Sequence, residues 1–281
     1  MAESQGEILN KSIKFGEDIL ATLHVRSDFE VEQKVVLSLY RQLIEQCNGY
    51  SVLANQKFYD SSKLLVRPFV ETYLSLKYIL QDKNKIQDRA TSYYIGFLKY
   101  HENLLLNAKK NNFMNVPEHE LREDLFEIQV LLNAEKYKRI QNEWKRTKLK
   151  LQLEYEPKWY SLFYGPRSIK ELVQRVEEKN EMKLLYTLLS LDAHGYQAVE
   201  NALYNKNIDI TPLYLKPIKH VKNNEFEINM IETYLNRATF EIVMYIVPER
   251  LHVFSRFYKD IQNTPNEFIH NILKNINTES Q

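Results

Sequence analysis

The sequence predicts an all-α protein, a multi-helix bundle of about eight to ten helices with a short irregular or β-like insert near residues 205–224. Three observations carry that expectation. Six glycines and eight prolines in 281 residues are too few for the tight turns of an antiparallel β fold, which need residues tolerant of positive φ. Apolar residues make up 44% of the chain, ample for a core and too many for a disordered protein. Along most of the chain they recur at helical spacing. The length is long for one compact domain and short for two, which favours a single helical domain over 1–281 with elaborations.

Ile8, Ile13, Phe15, Ile19, Leu20 and Leu23 set a first helix over about 4–24. Ser27-Asp28-Phe29-Glu30 caps a second, with Val31, Val35, Leu39, Leu43 and Ile44 on its apolar face. Asn48-Gly49 is a point of interruption, although the pattern resumes in phase. Asp60-Ser61 opens a third helix running to about Gln81, and a fourth spans about 85–110. Pro117 suits a first helical position. From there to about Leu153 a charged helix begins acidic and ends basic, the order the helix dipole favours.

Residues 155–167 break the periodicity. Pro157, Gly165 and Pro166 punctuate Trp159-Tyr160-Ser161-Leu162-Phe163-Tyr164, expected as an ordered loop because exposing so many rings is costly. Ser168 and Glu171 form a capping-box pattern opening a short helix. Another helix covers about 181–204. Pro212, Pro217 and the alternation of Ile208 and Ile210 point to extended structure or a small hairpin over 205–224. Glu225–Ile261 reads as one long helix kinked at Pro248, and Thr264-Pro265 opens a last short one.

A net charge of +1 argues against a molecule built throughout as a polyanion binder. The lone Cys47 excludes an intrachain disulfide framework and fits a reducing compartment. The polar, acidic start Met1-Ala2-Glu3-Ser4 is unlike a signal peptide, and no apolar run nears the roughly 18 residues of a membrane span. A cytoplasmic protein with no membrane partner is the expectation. No His-Glu-x-x-His, paired-cysteine or glycine-rich phosphate motif occurs, so neither a metal nor a cofactor is expected. His119 stands between Glu118 and Glu120, but adjacent side chains diverge around a helix. The abundance of Lys, Asn, Ile and Tyr points to an AT-rich bacterial or mobile-element gene. So helical and aromatic-rich a chain suits a homodimer, although no residue marks an interface.

Two constellations bear on chemistry. Arg67-Pro68-Phe69-Val70-Glu71 places Arg67 and Glu71 on one helical face among Leu64, Leu65, Val66 and Leu74. That is either a structural ion pair, the commoner outcome, or an anchored guanidinium facing a pocket. Pro68 is expected to break the local ladder and free a carbonyl near Arg67. The second is Tyr186, Ser190 and His194, a polar stripe at four-residue steps with Gly195 following. A core histidine bonded to a carbonyl is its ordinary reading; a binding or acid–base histidine is the functional one. Spacing alone does not make Ser190 a nucleophile.

Taken in order, Arg67-x-x-x-Glu71, Arg89-Ala90-x-x-Tyr93-Tyr94 and Tyr186-x-x-x-Ser190-x-x-x-His194 resemble the bacterial domain-of-unknown-function family 5677. The resemblance covers about 15–205, leaving a C-terminal helical extension over 225–275. It implies a helical fold and the placement of a site, but no reaction. Its style implies a bacterial, phage-defence or mobile-element setting. Pro68 departs from the commoner pattern of a small or apolar residue after the arginine. If the helices carrying these motifs pack together, Arg67, Glu71, Arg89, Tyr93, Tyr186, Ser190 and His194 meet in one polar cluster. Such a cluster binds an anionic ligand or forms a satisfied interior network.

Whether the protein is an enzyme is open. An enzymatic alternative resembles the metal-independent HEPN ribonucleases, with Arg67 and His194 as the candidate catalytic pair. It departs from their pattern, in which Arg and His share one helix four to six residues apart. A third alternative is a nucleic-acid or protein interaction module on the basic 136–150 helix, using Lys138, Arg139, Trp144, Lys145, Arg146 and Lys148. Glu135 and Glu143 dilute that patch, and the basic end of a solvated helix has the same composition.

Overall fold

Helices dominate the computed structural model, which describes residues 4–23, 28–111, 117–176, 198–204, 209, 212, 214–220 and 223–261. In chain order they are α1 (Gln5–Leu23), α2 (Val31–Asn55), α3 (Tyr59–Lys63), α4 (Val66–Leu80), α5 (Ile86–Asn111) and α6 (Glu118–Leu132). Then come α7 (Lys138–Lys150), α8 (Ile169–Val176), α9 (Ala198–Ala202), α10 (Glu225–Ile246) and α11 (Leu251–Ile261). Nine of these have eight residues or more and no strand occurs among the described residues, so the fold is the all-α bundle expected. The helix expected at Thr264-Pro265 and most of that expected over 181–204 lie outside the described residues. The chain forms two compact units, one of Met1–Asp28, Leu37–Lys77 and Leu184–Gln281, the other of Phe29–Val36 and Tyr78–Lys183.

In the first unit α1 buries Leu9, Ile13, Gly16, Ile19 and Leu23 and lies along α10. A reciprocal cap starts it: the Ser4 amide donates to Glu7 Oε2 at 2.7 Å and the Glu7 amide to Ser4 Oγ at 3.4 Å. A β-carbon on Gly16 would stand 2.9 Å from both Ile44 Cδ1 and the Tyr40 hydroxyl, so α1 approaches α2 this closely only with glycine there. The Tyr40 hydroxyl and Thr239 Oγ1 share a 2.8 Å hydrogen bond, and Lys77 pairs with Glu241, tying α2 and α4 to α10. α2 runs through Asn48-Gly49 without interruption. Cys47 is buried within it, which pushes its thiol well above the ordinary value.

Two proline effects differ from expectation. The single helix expected from Asp60 to Gln81 is split at Leu64–Leu65 into α3 and α4. Pro68 is then the third residue of α4, where a missing amide costs no intrahelical bond. The ladder is therefore not broken beside Arg67, and the Pro68 carbonyl accepts from Thr72 Oγ1 at 2.8 Å. At Pro248 the expected kink is a full break. The residue before a proline is driven out of the α region, and Val247 takes φ −138° before a short 3-10 turn leads into α11. Among the described residues, an antiparallel bridge joins Leu203, just before the expected β-like insert, to Leu215 within it, with Lys216 N donating to Ala202 O at 2.8 Å.

The second unit is built on α5. Both α6 and α7 pack against it, around Ile95, Leu98, Leu132, Tyr137, Ile140, Trp144 and Leu162. The one helix expected over 117–153 is broken at Asn133–Ala134, because Leu132 and Trp144 enter the same core only if the chain turns back. Asn133 Nδ2 donates to Gln129 O and Gln141 Nε2 to Leu132 O, satisfying carbonyls at the end of α6. Trp159–Tyr164 begins as a 3-10 turn, leaves helical geometry at Leu162 and Phe163, and packs on α5 and α7. α8 opens with the expected Glu171 amide on Ser168 Oγ at 3.2 Å, while the Glu171 carboxylate reaches one residue further back and accepts from the Arg167 amide at 2.8 Å.

Candidate functional site

α4 turns Val66, Phe69, Val70 and Leu74 inward, and four-residue spacing leaves Arg67 and Glu71 together on one edge. Arg67 Nε donates to Glu71 Oε1 at 3.0 Å, with the two side chains 24% and 42% exposed. The pair is thus half-buried, neither sealed in the core nor fully solvated. Both residues are engaged beyond this one bond.

Arg89 is buried in the first turn of α5. Its guanidinium donates to the carbonyl of Tyr78, in the last turn of α4, and lies 4.0 Å from the centre of the Tyr78 ring. A cation on a carbonyl at a helix C-terminus satisfies an orphan acceptor and suits the dipole. Burial pulls the guanidinium below its ordinary value, although the Tyr78 and Asp82 partners oppose that. Arg89→Ala is expected to destabilise the protein by about 2 kcal/mol, since it strands a buried carbonyl. An unchanged urea midpoint in that variant would remove the capping role. Tyr93, one turn further on, meets Trp159 edge to face at 5.1 Å, and Trp159 touches Tyr78 at 5.9 Å.

The structure therefore joins Arg67 to Glu71 in the first unit, and sets Arg89 and Tyr93 around Tyr78 and Trp159 in the second. Tyr186, Ser190 and His194 lie outside the described residues.

On the basic segment most cations are matched. Lys138 pairs with Glu135, Arg139 grips Asp88 through two bonds of 2.6 and 2.7 Å, and Lys148 meets Glu156 at 2.6 Å. Lys145 is exposed. Trp144 is only 3% exposed, packed in the core with its indole N–H on Glu156 Oε2 at 2.7 Å.

Glu143, which reads in the sequence as a diluting surface charge, is buried. Its Oε2 accepts from Arg146 at 2.7 Å, and its Oε1 accepts from the Phe163 amide and the Thr147 hydroxyl at 3.0 and 3.1 Å. Burial pushes this carboxyl up, but Arg146, the Phe163 amide and Thr147 outweigh it and hold it below the usual carboxylate value. The Arg146 and Thr147 contacts follow from helical spacing. The Phe163 contact crosses twenty residues and left no mark in the pattern. Tyr164, Lys150 and Arg167 gather beside Glu143 around a cavity, and the sequence offers no periodicity linking them.

Among the described residues no group of three or more His, Cys, Asp or Glu is placed to hold a metal ion, and no helix is long and apolar enough to cross a membrane. A family model described as a family of unknown function, DUF5677, matches residues 33–209, well over half of the chain. Neither the curated proteins nor the solved structures contain a match to it.

Proposed function

The chain belongs to the family of unknown function DUF5677, and from that premise we propose that it is a helical protein binding an anionic ligand at Arg67 and Glu71. Tyr186, Ser190 and His194 are the further polar residues of the proposed site. The observation that carries this reading is the half-buried Arg67–Glu71 pair beside the buried Val66, Phe69, Val70 and Leu74 of the same helix. Glu71 orients the guanidinium through Nε, and a guanidinium fixed in that way makes paired hydrogen bonds to a carboxylate or phosphate. Arg67 also lies in the first turn of α4, the end at which the helix dipole disfavours a cation and favours an anion.

Arg89 and Tyr93 are assigned to packing, because Arg89 caps α4 and Tyr93 lies on Trp159. The nucleic-acid alternative gains little support, since Trp144 is buried and Lys138, Arg139 and Lys148 have carboxylate partners. The ribonuclease-like alternative turns on His194, outside the described residues.

The test is local. In protein with nitrogen-15 in its arginine side chains, titration with acetate and with phosphate is expected to shift the Arg67 Nε–H resonance. His194→Ala is expected to weaken that response while leaving the circular dichroism spectrum unchanged. A resonance that stays put with both anions sinks the reading. So does an Arg67→Ala protein that loses thermal stability when the wild type shows no anion response, because a purely structural network predicts that combination.

A further inference from the structure

A cavity of about 110 Å3 opens between α7 and the Trp159–Tyr164 turn, wholly within the second unit. Arg146, Lys150 and Arg167 line it together with Glu143, Ser161 and Tyr164. Three cations against one carboxylate leave two net positive charges on the wall. Glu143 neutralises Arg146, so the net positive charge is carried by Lys150 and Arg167. Both oxygens of Glu143 are held by the wall itself, on Arg146, Thr147 and the Phe163 amide, so the carboxylate braces Arg146 in place.

Tyr164 forms the lip. The residue is 67% exposed, with Lys150 Nζ 3.8 Å and the Arg146 guanidinium carbon 5.3 Å from the centre of its ring. The lip is stiff. Phe163 and Tyr164 both hold left-handed backbones, φ 54° and 61°, a costly arrangement for residues that are not glycine. Several bonds pin it: Glu143 on the Phe163 amide, Ser161 Oγ on Pro166 O at 2.7 Å, and Arg175 on Tyr164 O at 3.2 Å.

We propose that this cavity is a binding site for the phosphate group of a small molecule, distinct from Arg67 and independent of the reading given for it. The volume is several times the roughly 30 Å3 that one water occupies in the liquid. It therefore admits a tetrahedral oxyanion, with an organic remainder lying outside over Tyr164. A planar carboxylate is satisfied by a single guanidinium. A tetrahedral dianion with three terminal oxygens uses Arg146, Lys150 and Arg167 together.

The experiment reads the backbone amide signals of Phe163, Tyr164, Gly165 and Arg167 during titration with inorganic phosphate, phenyl phosphate and acetate. Phosphate at millimolar concentration is expected to move them and acetate is not. Lys150→Ala and Arg167→Ala, both on exposed side chains, are each expected to weaken phosphate binding about tenfold, the scale of one charge-assisted hydrogen bond. Tighter binding of phenyl phosphate identifies a phosphomonoester as the ligand, and equal binding identifies free phosphate. Arg67→Ala is expected to leave these four signals and their titration unchanged, so failure at Arg67 and failure at this cavity are separately visible. The proposal is overturned if the signals stay fixed in phosphate, if acetate moves them equally, or if both cavity variants titrate as the wild type does.

Discussion

Glu232 is expected to cost the folded protein about 3 kcal/mol of stability as pH rises from 4.5 to about 7, and Glu232→Gln is expected to remove that loss. The residue lies on α10, 7% exposed, with Asn236 Nδ2 donating to its Oε1. Burial pushes its carboxyl up to about 7, against the smaller opposing effect of the Asn236 bond. An acid whose folded value exceeds its unfolded one holds its proton more tightly when folded. Its favourable share is therefore complete below pH 4.5 and is lost as pH climbs to about 7. At about 1.4 kcal/mol per unit, that interval is worth about 3 kcal/mol. Glutamine keeps the acceptor for Asn236 and has no proton to lose. Urea denaturation at pH 5 and pH 8 measures the effect. The two proteins should be similar at pH 5, with the variant the more stable at pH 8. A difference that does not change with pH would show that Glu232 reaches water.

Gly165→Ala is the second large effect, expected at about 3 kcal/mol, the upper end for forcing extra volume into a packed site. Its cause is steric. Gly165 has φ −73°, which any residue adopts. A β-carbon there, however, would stand 1.8 Å from the Tyr160 carbonyl oxygen and 2.7 Å from the Tyr78 hydroxyl. Backbone cannot swing aside as a side-chain tip does, so the turn must open. The amides of Phe163 and Gly165, bonded to Glu143 and to Leu162 O, should then lose hydrogen-exchange protection. Wild-type protection of both amides in the alanine variant would contradict the close approach. Phosphate binding at the cavity should fail in the same variant, because Tyr164 and Gly165 form part of its wall.

The candidate residues were legible to different depths. Arg67 and Glu71 are four apart on one helix, so their pairing needs no knowledge of anything else in the fold. Arg89 stands in a motif of the sequence, but its partner, the carbonyl of Tyr78, is a backbone atom that no side-chain pattern reveals. Trp144 reads as an aromatic among basic residues. Only the turn at Asn133–Ala134 shows that it faces Ile95 and Leu98. Phe163 and Tyr164 carry none of the glycine or asparagine that ordinarily signals a left-handed backbone. What holds them there is the contact to Glu143, from another helix.

From the amino acids alone came the helical class, the positions of most helices, the Ser168–Glu171 cap and the Arg67–Glu71 pair. All of these depend on residues within about one helical turn of one another. Tertiary structure alone decided where long helices break, which way Trp144 faces, that Glu143 is buried, and that Lys150, Tyr164 and Arg167 meet around a cavity. Those outcomes arise from contacts between distant residues, whose energies outweigh local preference and leave no periodic trace in the chain.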